Sequence, residues 1–187
     1  MSSHHFVKED QEPALLIIDP NAIPFEKVQE LLEWSPLVMV SRSALEKVLE
    51  WGIKIDVLLN SGNKDFLAQI IIDQAPLQVI TTSSAENEFD AACKFLMDRK
   101  QTNLNVIASQ AQKYFTIATS LLNKVNTVLF DSNGRWYYVG NGSYSKWLSA
   151  KTTTQIFING NFEKSIVTNT GVFKIERSSA FWVGEEY

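Results

Sequence analysis

Residues 37–63, LVMVSRSALEKVLEWGIKIDVLLNSGN, restrict the fold more than any other stretch of this chain. Leu37 to Val40 and Ile55 to Leu59 are continuous apolar runs of strand length. Between them Ala44, Leu45, Val48 and Leu49 recur at helical spacing. Ser41 or Ser43 can cap that helix and Gly52 can end it. Two fully apolar strands joined through a helix form a β-α-β unit, whose strands lie parallel in a sheet covered on both faces.

The same alternation extends in both directions. Ala14 to Ile18 is a buried-type strand, ended by Asp19-Pro20-Asn21. Phe25, Val28, Leu31 and Leu32 mark a helix after Pro24, and Pro36 ends it. Helices are expected over residues 63–74 (Phe66, Leu67, Ile70 and Ile71 inward), 85–99 (Phe89, Ala92, Cys93 and Leu96 inward) and around Tyr114 to Leu122. Leu77 to Ile80 and Leu104 to Ala108 supply two more strands. Together these predict a mostly parallel, three-layer α/β domain over residues 1–125.

After Val125 the texture changes. Short strand candidates at Thr127 to Phe130, Trp136 to Val139, Gln155 to Ile158, Val172 to Ile175 and Phe181 to Val183 are separated by Asn/Gly turns, with no helical period. Residues 126–187 therefore read as a small antiparallel β-sandwich domain.

Charge narrows the function classes. Residues 1–125 carry 11 basic against 16 acidic side chains, and residues 126–187 carry 6 against 5, for a net of -4. Neither part has the positive excess of a nucleic-acid binder. No apolar run approaches a membrane span, and the charged N-terminal residues lack the core of a secretory signal, so a cytoplasmic protein is expected. The single cysteine, Cys93, excludes an internal disulfide and a CxxC metal pair. His4 and His5 are the only histidines, so neither a Ser-His-Asp triad nor a zinc cluster is expected.

Taken with the order of elements, the stretches Ser41-Arg42-Ser43, Gly52 to Asp56, Leu59 to Asn63, Asn87 to Ala92 and Ala111 to Thr116 resemble the thiamine pyrophosphokinase (thiamine diphosphokinase) family. Ser41-Arg42-Ser43 stands where that family has an Asp-Gly-Gly or Asp-Arg-Gly turn. Gly52-Ile53-Lys54-Ile55-Asp56 is similar to Gly-x-x-Pro-Asp, and Leu59 to Asn63 stands at the acidic loop Gly-Asp-Phe-Asp-Ser. Asn87 to Ala92 resembles Thr-Asp-x-Glu-Lys-Ala, and Ala111 to Thr116 lies at Gly-Arg-x-Asp-His-Thr. In the second domain Ile166 to Val172 resembles Val-Thr-Thr-Thr-Gly-Leu, and Gly184-Glu185-Glu186-Tyr187 falls near Ser-Asn-Glu.

The resemblance implies pyrophosphoryl transfer from ATP to thiamine, with Mg²⁺ held by aspartates at the carboxyl ends of sheet strands. At those positions this chain has Ser41, Asn60, Gly62 and Glu88. Three are neutral, so no metal site is expected and catalysis reads as lost. The chain then becomes a thiamine pyrophosphokinase-like pseudoenzyme that binds a small ligand or a protein partner. The alternative is a transferase with a rebuilt site using Glu88, Asp56 and Asn60, which would need Mg²⁺ and ATP.

Further residues have two readings each. Asp56 is a ligand or a turn residue closing a loop. Ser41, Arg42, Ser43, Asn63 and Gln112 are nucleotide- or phosphate-binding remnants, or a solvated arginine among good turn residues. The pair Tyr114–Phe115 replaces charged family residues and suggests an apolar surface for a partner. Trp136 and Thr154 contact a small aromatic ligand such as thiamine, or the tryptophans are sandwich core. The resemblance also implies a homodimer.

Overall fold

A computed structural model describes residues 12–62, 67–84 and 88–187. Strands β1 (Ala14–Ile17), β2 (Val38–Ser41), β3 (Val57–Asn60), β4 (Gln78–Thr81), β5 (Asn103–Ile107) and β6 (Asn126–Asp131) form a parallel sheet. Its order is β6-β5-β1-β2-β3-β4. The chain winds outward from β1 to β4, then crosses back to place β5 on the other side of β1. This reversal is where α/β sheets open a crevice at their carboxyl ends.

Period-two alternation builds the three layers. Ala14, Leu16, Met39, Leu59, Leu104 and Val106 pack with α4 (Glu88–Asp98) and α5 (Phe115–Leu121). Leu15, Ile17, Val38, Val40 and Leu58 point the other way, against α1 (Phe25–Leu32) and α2 (Leu45–Glu50). Ile70 of α3 (Leu67–Asp73) packs on that second face. All four residues of β1, β2 and β3 are buried, which is why those strands read as unbroken apolar runs.

The antiparallel part continues the same sheet. Strands β7 (Gly134–Val139), β12 (Phe181–Glu185), β9 (Thr153–Ile158) and β10 (Asn161–Ile166) extend it in that order beyond β6, making ten strands. A two-stranded ribbon, β8 (Ser143–Leu148) with β11 (Gly171–Glu176), is the second layer of the sandwich. Val139, Ile156, Ile175, Phe181 and Val183 fill the space between.

Residues 127–130 thus behave differently from their expected antiparallel role. β6 pairs parallel with β5 on one side and antiparallel with β7 on the other, so it belongs to both parts. Strands β8 and β10 were not expected from the sequence. All six β10 residues are exposed, and β8 alternates around a polar face, so neither shows an apolar run.

Candidate functional site

The carboxyl ends of β1, β2 and β3 and the start of α4 converge on one edge of the parallel sheet. β2 ends at Ser41, which is fully buried; its hydroxyl donates to the Ile18 carbonyl (3.0 Å). The Ser43 hydroxyl lies 2.8 Å from that of Ser41 and 3.3 Å from the same carbonyl. The two serines tie the end of β1 to the β2 loop. β3 ends at Asn60, also fully buried, whose side-chain amide donates to the Gly62 carbonyl (3.0 Å) and closes the loop on itself.

Glu88 opens α4 and is 2 % exposed. Burial pushes its carboxyl above the ordinary carboxylate value, against the lowering effect of hydrogen bonds accepted from the Ser61 hydroxyl and the Arg42 backbone N–H. These bonds place Glu88, Ser61 and the Arg42 loop together. Tyr114 joins them: its hydroxyl is pushed up by burial and then by the negative charges of Glu88 and Asp19. Its ring lies 5.3 Å from Phe89. Among the described residues, Asn60 Oδ1, Glu88 Oε1 and Thr82 Oγ1 are buried oxygens without a hydrogen-bond partner. Thr82 is adjacent, its backbone N–H donating to the Asn60 carbonyl (3.0 Å).

Ser41, Arg42, Ser43, Asn60 and Glu88 are therefore assembled as the sequence pattern places them. Gln112 is exposed in the 3₁₀ turn Ala111–Tyr114 after β5, and Asn63 lies outside the described residues. Asp56 is elsewhere. It precedes β3, and its carboxylate accepts from the Val38 backbone N–H (2.8 Å) at the start of β2. That is the amino edge of the sheet, a strand length of roughly 13 Å from the loops at the other end. A site made of Glu88, Asp56 and Asn60 is thus not assembled; Asp56 ties strand starts together.

Asp19 and Ser61 belong to this edge and were not singled out; Tyr114 was expected on an apolar partner surface and instead sits beside Glu88. Asp19 had a usable signal: it is an acidic residue directly following a buried parallel strand.

In the antiparallel part, Trp136 is 2 % exposed and donates its indole N–H to Asp131 (3.1 Å). Thr154 is fully buried, its hydroxyl on the Ser165 carbonyl (3.4 Å). Both are enclosed, so neither offers a surface to a ligand. The expected Tyr114–Phe115 surface is also absent: Phe115 is 3 % exposed and stacks on Trp182 (4.5 Å between centroids) beside Trp136 and Phe157. Aromatic partners from distant strands enclose it. An open, mostly apolar cavity of about 300 Å³ does lie beside this stack, lined by Phe115, Thr119, Tyr138, Phe157 and Trp182.

The whole architecture has known counterparts. It is similar to thiamin pyrophosphokinase from Candida albicans (TM-score 0.68, 8% identity, covering 95% of this chain and 90% of that one). It is similar also to thiamine pyrophosphokinase from Bacillus subtilis (TM-score 0.63, 11% identity, 93% and 98% covered). The yeast enzyme gives a TM-score of 0.61 at 7% identity, with 97% and 88% covered. The chain has the thiamine pyrophosphokinase fold. No family model and no curated protein matches its sequence.

Pyrophosphoryl transfer of the kind the family resemblance implies would need Mg²⁺ and ATP, so the donor set matters. Mg²⁺ requires several hard, charged oxygens in octahedral array. Among the described residues no three His, Cys, Asp or Glu side chains cluster as metal ligands. Among the described residues the edge offers one buried carboxylate, Glu88, already accepting two hydrogen bonds, one half-buried carboxylate, Asp19, and one amide oxygen. These residues do not fit a Mg²⁺–nucleotide site. Among the described residues no helix is long and apolar enough to cross a membrane.

Proposed function

We propose that this protein keeps the thiamine pyrophosphokinase fold without pyrophosphoryl transfer and acts by binding a small ligand. Glu88 carries this reading. In a transferase the charged group at this edge must face metal or phosphate. Here it is buried and turned onto the chain's own Ser61 hydroxyl and Arg42 N–H. The cavity that Thr119, Tyr138 and Phe157 line over the buried Phe115–Trp182 stack supports a flat, small ligand of the thiamine type, in place of the enclosed Trp136 and Thr154.

The test is calorimetric titration with thiamine and with Mg²⁺–ATP, joined to an AMP-release assay. Thiamine binding without AMP release is expected. Turnover on the order of 1 per second, an ordinary enzyme rate, overturns the proposal.

The alternative reading, a transferase with a rebuilt site, draws support from the two orphaned oxygens of Asn60 and Glu88. Glu88→Gln separates the readings, because a transferase relying on Glu88 loses its turnover. In a binding protein the same change affects stability alone, with a sign set by the raised carboxyl. A raised folded value means that the fold favours protonated Glu88. The wild type therefore loses stability as pH rises from the ordinary value of 4.5 through the folded value. Glutamine is neutral throughout. Glu88→Gln should melt higher at pH 7–8 by a few degrees, for roughly 1 kcal/mol. The gap should close towards pH 4. A lower melting temperature at neutral pH would show that the ionised form is needed.

A further inference from the structure

A cavity of about 450 Å³ opens in the antiparallel part between the ends of β7, β8 and β12 and the loop 149–152. Arg135, Lys146 and Lys151 line it, with Glu185 at its wall and Glu186 at its rim. Three cations therefore face two carboxylates.

Glu185 is 2 % exposed and fixes the arrangement. One oxygen, Oε2, takes the Lys146 ammonium (2.5 Å) and the Arg135 guanidinium (Nη2 3.2 Å, Nε 3.3 Å). The other accepts the Tyr144 hydroxyl. Burial alone would raise the Glu185 carboxyl; the hydrogen bonds from Lys146 and Tyr144 and the charges of Lys146 and Arg135 outweigh it and hold it ionised, below the ordinary value. The two cations also flank the Tyr137 ring, at 5.6 Å and 5.7 Å.

A lysine has three N–H donors and an arginine five, so this one carboxylate leaves most of them unspent. Both side chains remain more than a third exposed, at 43% and 36%. Lys151 lines the same cavity from the loop 149–152. Its backbone is left-handed (φ 72), and its N–H is bonded to the Val167 carbonyl (2.7 Å). The loop is held further by Thr152 N–H on Ser149 (3.2 Å) and Ala150 N–H on Thr170 (2.9 Å). These bonds hold the 149–152 loop, and Lys151 with it, in one conformation. Trp147, 61% exposed, forms part of the rim.

We propose that this cavity binds a small oxyanion, held by Arg135, Lys146 and Lys151, with Trp147 covering any ring that carries it. The buried Glu185 sets the cations in place before the ligand arrives, as a preformed site requires. The site is built from residues separate from the Glu88 edge and is independent of whether that edge is catalytic.

The test uses the intact protein with inorganic phosphate, phenyl phosphate, benzoate and uncharged benzyl alcohol, read by calorimetry and tryptophan fluorescence. Millimolar or tighter binding of the anions is expected, with none for benzyl alcohol, and weakening as salt rises. The phosphate and benzoate arms decide between phosphate and carboxylate. Lys151→Gln and Lys146→Gln should each weaken binding about tenfold. Lys174→Gln, exposed on β11, and Glu88→Gln should leave it unchanged. Trp147→Phe should remove the fluorescence change while the binding heat remains. No binding of any anion up to 10 mM (about the weak limit for a preformed ionic site), or affinity unchanged in both lysine variants, overturns the proposal. Lys151 is exposed and outside the Glu185 cluster, so its variant tests the site without disturbing the fold.

Discussion

Asp131→Ala should lower the melting temperature by about 10 °C. Asp131 ends β6, is 1 % exposed, and answers three N–H donors: Asn133 (2.9 Å), the Trp136 indole (3.1 Å) and Ala111 (3.3 Å). These donors belong to the β6–β7 turn, to β7, and to the 3₁₀ turn that precedes α5. The carboxylate therefore holds the parallel half, the antiparallel half and the Ala111–Thr116 stretch in one register. Alanine leaves two buried donors, the Ala111 N–H and the Trp136 indole, without an acceptor, while the Asn133 N–H lies in an exposed turn and is met by water. Each orphaned buried donor costs about 1–3 kcal/mol, and relaxation brings the sum to roughly 3–5 kcal/mol. For a chain of this size each kcal/mol shifts the melting temperature by about 2–4 °C. Differential scanning calorimetry measures it. Asp131→Asn keeps one acceptor oxygen but turns an amide towards a donor, so an intermediate loss is expected. A drop of under about 3 °C for the alanine variant would show that water replaces the carboxylate.

How much of this was legible beforehand differs element by element. β1, β2 and β3 were readable because burial on both faces leaves only apolar residues, and the helix between β2 and β3 because its inward face keeps strict spacing. β6 reads identically as a parallel or an antiparallel strand, since Thr127 to Phe130 carries no mark of its partners. β8 and β10 lacked an apolar run because ribbon and edge leave them exposed. At 7–11% identity to the similar structures, what persists is order and spacing rather than motif chemistry.

The candidate site divides in the same way. Strand ends at Ser41 and Asn60 follow from counting along β2 and β3, and the same counting separates Asp56 from Asn60 by the length of a strand. What could not be read was where side chains turn. Glu88 bonds inward to Ser61 and Arg42, and Phe115 is enclosed by Trp136, Phe157 and Trp182, residues far away in sequence. The cations around Glu185 were likewise invisible, because Arg135, Lys146 and Glu185 meet only through the β7–β12 pairing and the ribbon.

Gly134→Ala should be comparably severe, for a steric reason. Gly134 begins β7 at φ +131, and a Cβ there would lie 1.8 Å from the Glu185 carbonyl oxygen and 2.5 Å from its carbon. Backbone cannot yield as a flexible side chain does, so β12 must move away from β7 where Glu185 pairs with Arg135. Overpacking costs about 1–3 kcal/mol and the unfavourable backbone conformation about 1–2 kcal/mol more, giving a fall of about 10 °C. Gly52→Ala is the matched control. It too is left-handed, at φ +69, but a Cβ there meets nothing within 4 Å. Only the conformational part remains, about 1 kcal/mol. If both variants lose the same amount, the close approach at Gly134 is not what fixes that strand pair. If Gly134→Ala loses far more, the displaced β12 should also carry Glu185 away from Lys146, and phosphate binding at the Arg135–Lys146–Lys151 cavity should weaken with it.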